Sequence, residues 1–157
     1  MFKKALKYLR VIPIDVFVYS ITKDSLVTFE DIGYKIQKEN INENKEKFFI
    51  VDNGRIIHQS FLFKKLFLLR IINKKGPAIG ECATISEYKG KSIYPFVINY
   101  IAHEELLNNR HEEVFIIVNS NNVSSIKGIE KAGFKLHTKI KAKRFLVFHF
   151  AVQRSKN

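Results

Sequence analysis

The chain has 157 residues, of which 46% are hydrophobic and 13% aromatic, and it carries a formal net charge of +12 at pH 7. This length and composition are typical of one globular domain, covering residues 1–157, and exclude a disordered chain. The single cysteine, Cys82, excludes an internal disulfide and a cysteine zinc site, so we expect a reducing compartment. No apolar run approaches the roughly 20 residues that span a bilayer. The N-terminal residues do not follow the order of a signal peptide. We therefore predict a cytoplasmic protein without a membrane span.

The basic residues are concentrated toward the C-terminus, where no acidic residue follows Lys131. A basic surface attracts polyanions such as nucleic acid, anionic lipid or a phosphorylated cofactor. The lysines alternate with other residue types instead of forming one block, which favours a role in solubility. We therefore do not expect nucleic acid as the main partner.

The first half of the chain alternates strand-like runs with turn signals. Residues 15–22 have strand composition, about 28–38 are predicted to be helical, and the polar residues 38–47 are predicted to form a surface loop or a frayed helix end. Asn53-Gly54 separates two apolar runs and predicts a tight hairpin turn. Further strands are predicted at 66–72 and 78–85, with a turn at Gly76-Pro77 between them. Such short connections favour antiparallel neighbours.

The second half changes to a helical period. From Ile93, apolar residues recur at the spacing of a helix. Residues 113–118 predict a buried strand, and 122–132 predict a short helix with Asn122 as N-cap and Gly133 as its stop. Two final strands are predicted at 134–140 and 144–152, the second alternating around Phe145, Val147, His149 and Ala151. Together these elements predict a mixed α/β (α+β) domain with a mostly antiparallel central sheet flanked by helices.

One connection carries a chemical signal. The stretch EYKGKSIYPF, residues 87–96, leads from the predicted strand at 78–85 into the following helix. The free N–H groups of a helix N-terminus and its dipole form a ready anion site. Gly90 lets the backbone curl, Lys89 and Lys91 add positive charge, and the small Ser92 lets a phosphate approach. Alone, such a loop is more often a solvated turn.

A second block lies one helix and one strand downstream, where Asn122-Val-Ser-Ser-Ile126 is followed by Glu130-Lys-Ala-Gly-Phe134. Together the two blocks resemble the GNAT superfamily of acetyl-CoA-dependent N-acyltransferases. Tyr88-Lys-Gly-Lys-Ser-Ile-Tyr94 is similar to its pyrophosphate loop, and the downstream block is similar to its Asn-x-x-Ser-Ile and Glu-Lys-x-Gly-Phe motifs. The resemblance covers about residues 79–134. It implies a GNAT-like sheet and acetyl-CoA as cosubstrate, with no metal.

The resemblance also implies which residues contact the coenzyme. Main-chain groups of the predicted strand would bind the pantetheine arm, and the loop would bind the pyrophosphate. The implied set is Cys82, Ala83, Thr84, Ile85, Lys89, Gly90, Lys91, Ser92, Ile93, Tyr94, Asn122 and Ser125. An N-cap role would explain Asn122 without a ligand, and the two roles are compatible.

The chain departs from the family pattern at four positions. Lys89 replaces the usual Arg or Gln, and Ser92 and Tyr94 replace glycines or alanines. Ile129 stands where many relatives have a Tyr that protonates the departing thiolate. The family attacks the thioester directly in a ternary complex, so no enzyme nucleophile is required. These departures leave coenzyme binding as the expectation and the source of the acid open.

Two residues are candidates for the general base. Glu81 is a carboxylate within an otherwise apolar run, and its alternative is the outward face of an alternating strand. His58 has a suitable intrinsic pKa, and its alternative is a hydrogen-bonded core histidine. Cys82 is interpreted as a small buried residue, because nothing nearby in sequence would lower its pKa.

The main hypothesis is an acetyl-CoA-dependent N-acetyltransferase with a small-molecule amine as acceptor. The Ile-Tyr-Pro ending of the loop resembles family members found near bacterial polysaccharide genes, which suggests an amino sugar. The alternatives are acetylation of a protein N-terminus or lysine, and a non-catalytic CoA- or nucleic-acid-binding module on the same fold. A homodimer stays open.

Overall fold

The computed structural model describes residues 12–145 and 148–156. Short 3₁₀ turns cover Lys23–Ser25, Phe67–Ile72 and Ser86–Tyr88, and a π-helical turn, Glu104–Asn108, extends the first helix. The main elements in chain order are β1 Ile12–Thr22, β2 Ile36–Asn42, β3 Lys45–Asp52, β4 Arg55–Phe63, β5 Ala78–Thr84, α1 Ile93–His103, β6 Glu113–Asn119, α2 Val123–Lys131, β7 Lys135–Phe145 and β8 Phe148–Lys156.

The strands form one sheet in the order β2-β3-β4-β5-β6-β1-β7-β8. Every neighbouring pair is antiparallel except β5 and β6, which run parallel because α1 makes the crossover between them. β1 lies between β6 and β7 and pairs with both. The predicted mixed, mostly antiparallel sheet is confirmed.

The parallel pair is short and opens a gap. β5 and β6 share only the pairs Ala78 with Phe115 and Ile79 with Ile116. β5 nevertheless continues to Thr84 and β6 to Asn119. The two strands therefore separate toward their carboxyl ends. We call the gap between residues 80–84 and 117–119 the β5–β6 cleft.

The two faces of the sheet carry different cores. Helices α1 and α2 pack on one face, where Ile50, Leu62 and Ile98 lie in one buried cluster. On the opposite face the 3₁₀ turn Phe67–Ile72 packs its Leu69 into a second cluster with Phe115. We call these the helix face and the opposite face.

Several local predictions are confirmed. Asn53 and Gly54 have φ of 49° and 75° and join β3 to β4 in the predicted hairpin. The Asn122 side chain accepts a hydrogen bond from the Ser125 N–H at 3.2 Å and caps α2. Gly133, with φ of 94°, follows the end of that helix. The hairpin turn, the helix cap and the helix stop depend on residues that are neighbours in sequence, which explains why they could be predicted.

The predicted helix at about 28–38 is wrong. Asp31 accepts a hydrogen bond from the N–H of Gly33, whose φ is 76°, and this turn interrupts any helix there. Ile36 begins β2 and pairs with Ile50 of β3. Residues 38–47, predicted as a loop or frayed helix end, form the β2–β3 hairpin. The polar composition of β2 reflects its exposed position at the edge of the sheet.

The predicted strand at 66–72 is also wrong, since Phe67–Ile72 is a 3₁₀ turn that ends at Asn73 with φ of 56°. An unbroken apolar run suits a buried turn as well as a strand. The last two strands exist, at Lys135–Phe145 and Phe148–Lys156. The first is longer than predicted and includes residues 144 and 145, and the second begins and ends four residues later than predicted. Val147, part of the predicted alternation, lies outside the described residues. Ala151 has φ of 50°, so the strand does not alternate regularly there.

Candidate functional site

The site begins at the turn that opens α1, which we call the α1 turn (residues 89–94). Gly90 has φ of 79° and Ser92, the N-cap, has φ of 60°. A left-handed serine is unfavourable, so the turn is a position where glycine would fit better. The first helical hydrogen bond runs from the Phe96 N–H to the Ser92 carbonyl at 3.1 Å. The N–H groups of Ile93 and Tyr94 precede it and have no intrahelical acceptor.

Three lysines lie in or beside the α1 turn. Lys131 of α2 donates to the Ser92 hydroxyl at 2.7 Å. The Lys91 ammonium lies 4.5 Å from the centre of the Tyr88 ring. Lys89 and Lys91 are exposed and have no ion-pair partner among the described residues. A positive helix end with nearby cations is suited to a phosphate-bearing ligand.

The α1 turn is tied to the sheet on the side of β3. The Tyr88 hydroxyl donates a hydrogen bond to Asp52 at 2.6 Å, and Asp52 ends β3. The Ile85 N–H, which lies between β5 and the α1 turn, donates a hydrogen bond to the Ile57 carbonyl of β4 at 3.0 Å. These bonds hold the turn at the carboxyl end of β5, which is also the open end of the β5–β6 cleft.

The strand before the turn has one occupied and one open edge. Thr84 pairs with His58 and Ala83 with Gln59, so β4 occupies one edge of β5. Beyond Ile79 the other edge has no strand partner in the described residues. Main-chain groups of residues 82–84 on that edge are therefore not used by a neighbouring strand. The resemblance implies coenzyme contacts in this segment, at Cys82, Ala83, Thr84 and Ile85, and these contacts stay a prediction.

His58 is a buried, neutral histidine on the helix face. It is 1% exposed. Its Nδ1 lies 2.7 Å from the Thr84 hydroxyl and its Nε2 lies 2.8 Å from the Ser60 hydroxyl. Burial lowers the pKa of His58 to about 4. Both ring nitrogens are occupied, so any proton transfer by His58 to a ligand would pass through one of these hydroxyls.

Glu81 lies on the opposite face of the sheet. It forms an ion pair with Lys45, whose ammonium also lies 4.1 Å from the centre of the Phe61 ring. Leu62 belongs to the helix-face cluster, and neighbouring residues of a strand point to opposite faces of the sheet. Phe61 therefore lies on the opposite face, and so does the ion pair beside it. The Glu81 side chain is 57% exposed, and its φ of 49° marks an irregularity in β5. The two candidate bases therefore do not meet in one cleft.

A close contact between the helices was not expected from sequence. The ring of Tyr94 lies directly over Gly128 of α2: a Cβ built at Gly128 would be 2.6 Å from Cδ1 and 2.8 Å from Cε1 of the tyrosine. The Tyr94 and His58 rings have centroids 6.2 Å apart. Burial, with a smaller contribution from Cys82, raises the pKa of Tyr94. The sequence signal for this contact was a glycine inside a predicted helix.

The remaining predicted residues have mainly structural surroundings. Burial raises the pKa of the Cys82 thiol to about 12, so it is not a thiolate at neutral pH. Ile129 is fully buried. Glu130 accepts a hydrogen bond from the Tyr19 hydroxyl at 2.8 Å, which joins α2 to β1. Asn122 and Ser125 begin α2, whereas the contacts of α2 with the α1 turn come from residues 128 and 131 in its second half.

A second feature lies at the other end of β5 and β6. A cavity of about 1020 Å³, which we call the basic groove, lies between the 3₁₀ turn of residues 67–72 and the start of β6. Two of its lysines form ion pairs, Lys64 with Glu46 at 3.2 Å and Lys74 with Glu113 at 2.6 Å. The lining residues are Lys64, Lys65, Leu66, Phe67, Arg70, Asn73, Lys74, Lys75, Gly76, Arg110, His111, Glu112 and Glu113.

The described part of the chain contains no group of three or more His, Cys, Asp or Glu side chains that could hold a metal ion. Nor does any helix within residues 12–145 and 148–156 have the length and apolar character required to cross a membrane.

No protein-family model matches the sequence, and no curated protein matches it. The structure, however, is similar to solved acetyltransferase structures. One, from Novosphingobium aromaticivorans DSM 12444, is described as an acetyltransferase of the GNAT family and matches with a TM-score of 0.59 and 16% identity over 86% of this chain. A GNAT-family acetyltransferase from Colwellia psychrerythraea matches with a TM-score of 0.58 and 16% identity over 87% of this chain. The chain spans 64% and 57% of the length of those two proteins.

Proposed function

The chain has the GNAT fold, and from this fold and the α1 turn we propose that it is an acetyl-CoA-dependent N-acetyltransferase. One observation carries the proposal. The left-handed backbone at Gly90 and Ser92 presents the N-terminus of α1 at the end of β5 where its free edge faces the β5–β6 cleft. An anion site beside an open strand edge suits a ligand with a diphosphate at one end and an amide-containing arm at the other.

The residues present fit acetyl-CoA. The N–H groups of the α1 turn would donate to the pyrophosphate, and Lys89, Lys91 and Lys131 would balance its charge. Pro95 has no N–H, so one donor of an ordinary first helical turn is missing. The open edge of residues 82–84 would hold the pantetheine amides, and the bound coenzyme would supply an activated acetyl group.

Transfer to an amine requires the amine to lose a proton and to be held against the thioester. The protonated Cys82 thiol supports direct attack by the amine over an acyl-cysteine route. Glu81 and His58 both remain candidate bases. Glu81 is an exposed carboxylate beside the irregularity in β5, whereas His58 would act through Thr84 or Ser60. The variants Glu81→Gln and His58→Gln would separate the two candidates. The base is the residue whose replacement lowers the rate and removes its decrease at acidic pH.

Thermal stability in acetyl-CoA tests the coenzyme, and a thiol-release screen tests the acceptor. At 100 times Kd, a ligand of the native state stabilises by about 2.7 kcal/mol. For a chain of this size that corresponds to a Tm increase of about 5–11 °C. The screen compares amino sugars, other small amines, and peptides with a free N-terminus or a lysine. An amino sugar is the expected acceptor, and turnover of peptides alone would select protein acetylation instead.

A matched pair of variants locates the coenzyme. Lys89→Gln/Lys91→Gln removes two charges from the α1 turn and should reduce the acetyl-CoA shift strongly. Lys35→Gln/Lys38→Gln removes two charges at and just before the edge strand β2 and should leave it unchanged. No shift in the folded wild type at saturating acetyl-CoA would refute the proposed function.

A second candidate function is the binding of single-stranded nucleic acid in the basic groove. Lys65, Lys75 and Arg110 line the groove without an ion-pair partner in the described residues. Phe67 is 57% exposed, and the Arg70 guanidinium lies 5.3 Å from the centre of its ring. Cations beside an exposed ring are typical of single-strand binding. The affinity for a labelled oligonucleotide, measured by fluorescence anisotropy, should then fall steeply as the salt concentration rises. The salt dependence should be weaker for the Lys65→Glu/Lys75→Glu variant.

A further inference from the structure

The ammonium of Lys45 lies in a site made of one carboxylate and two aromatic rings. It forms an ion pair with Glu81 of β5, and it lies 4.1 Å and 4.9 Å from the ring centres of Phe61 and Phe63 of β4. The Lys45 side chain is 22% exposed, less than that of any other ion-paired lysine among the described residues. A primary amine of the chain is therefore already held against a candidate base.

A β-bulge places that carboxylate on the opposite face. Between two successive pairs of β4 with β5, β4 has one residue, whereas β5 has two, Glu81 and Cys82. Such a bulge changes the direction of a side chain, and the φ of Glu81 is 49°. Cys82 packs against the helix-face cluster, whereas Glu81 is exposed and contacts Lys45 on the opposite face. Two adjacent residues of β5 thus present a thiol and a carboxylate to different faces of the sheet.

The bulge lies where the proposed coenzyme would end. With its pyrophosphate on the α1 turn, the pantetheine arm would follow the free edge of β5 from residue 84 toward residue 82. The β5–β6 cleft closes at the pair of Ile79 with Ile116, so the acetyl group would lie beside Glu81. The buried cluster on the opposite face includes Ala78 but neither Glu81 nor Ala83, which are both exposed. An amine can therefore reach this point from the opposite face.

We propose that Lys45 is a self-acetylation site, an inference that rests on the proposed function. The flexible four-carbon stem of the lysine lets its nitrogen move from the two rings to the free edge of β5. The ammonium gives one proton to the Glu81 carboxylate, which then passes it to water. The new bond joins the Lys45 nitrogen to the acetyl carbon. The carbon–sulphur bond breaks with its electron pair on sulphur, and the second proton lost by the nitrogen reaches that sulphur through water. The products are N-acetyl-Lys45, the free thiol of CoA and one proton.

Mass spectrometry tests the modification. Wild type incubated with acetyl-CoA should gain one acetyl group, and peptide mapping should locate it on Lys45. Lys47 is the internal control, because it lies on the same face of β3 with its ammonium 5.0 Å from the Phe49 ring, and it forms no ion pair among the described residues. Lys45 should react at least about tenfold faster than Lys47. Lys45→Arg, which keeps the charge, should remove the modification, whereas Lys47→Arg should not.

Two further variants separate self-acetylation from chemical acetylation by free acetyl-CoA. Glu81→Gln removes the proton acceptor and should slow the acetylation of Lys45 at least about 100-fold. Lys89→Gln/Lys91→Gln weakens coenzyme binding at the α1 turn and should slow it as well. Chemical acetylation does not depend on a bound coenzyme, so its rate would be the same in this double variant. The rate per molecule should also be independent of protein concentration, because the reaction is intramolecular.

The outcomes separate this inference from the proposed function. A wild type that binds acetyl-CoA in the thermal assay but leaves Lys45 unmodified would overturn the self-acetylation of Lys45 alone. Equal rates at Lys45 and Lys47, an unchanged rate in either further variant, or a rate per molecule that rises with protein concentration would overturn it too. Failure of the wild type to bind acetyl-CoA would overturn the proposed function together with this inference.

Discussion

The fit between Tyr94 and Gly128 gives a prediction whose sign depends on the partner residue. In an ordinary helix interior, replacing glycine with alanine stabilises by about 1 kcal/mol. In this protein the new Cβ would lie 2.6 Å and 2.8 Å from two carbons of the Tyr94 ring, whereas carbon atoms pack best at about 3.5–4.0 Å. The ring would have to move by roughly 1 Å, and overpacking of this kind costs about 1–3 kcal/mol. We therefore expect Gly128→Ala to be neutral to destabilising by up to about 2 kcal/mol in the wild type.

In a Tyr94→Ala background the same substitution meets no ring, so it should stabilise by about 1 kcal/mol. Urea unfolding of the wild type, both single variants and the double variant measures the coupling, which should be about 1–3 kcal/mol. Ser124→Ala, on the exposed side of α2, is the control and should behave alike in both backgrounds. Equal stabilisation by Gly128→Ala with and without the tyrosine would refute the contact.

The other predictions concern His58, Asn122 and Ser92. The folded pKa of His58, about 4, is below its unfolded value of 6.5, so the unfolded chain binds the proton first. Stability should be constant above pH 6.5 and fall by roughly 3 kcal/mol as the pH decreases toward 4, a dependence that His58→Gln should remove in urea melts. Asn122→Ala should destabilise by about 1 kcal/mol through loss of the cap, and Asn122→Gly by only a few tenths; equal losses would argue against capping. Ser92→Gly should relieve the left-handed backbone and leave stability unchanged or up to about 1 kcal/mol higher, and a clear loss in thermal melts would count against that conformation.

The parts of the fold that could be predicted from sequence depend on local chemistry. Asn53-Gly54 can only be a tight turn in that context, and Asn122 and Gly133 mark the ends of a helix through their own backbone preferences. The errors fall where local signals are ambiguous. The apolar run at Phe67–Ile72 suits a turn as well as a strand, and the polar β2 is a strand because β3 offers it an edge.

The candidate site divides in the same way. The glycine and lysines of the α1 turn are sequence neighbours, so the turn could be predicted. The contact between Tyr94 and Gly128 joins residues far apart in the chain and follows from how the two helices pack. The separation of Glu81 from His58 depends on which way each side chain leaves its strand, and the positive φ at Glu81 disturbs the simple alternation that sequence reasoning assumes.

The central claim is that the backbone amides of the α1 turn bind a diphosphate, and an NMR titration tests it most directly. Unlabelled CoA is added to ¹⁵N-labelled protein, and the amide shifts of residues 90–94 are compared with those of residues 65–75 in the basic groove. We predict large, saturable shifts at Gly90, Lys91, Ser92, Ile93 and Tyr94 and small ones in the groove. Unchanged amides at residues 90–94, with saturable shifts in the groove, would contradict the account.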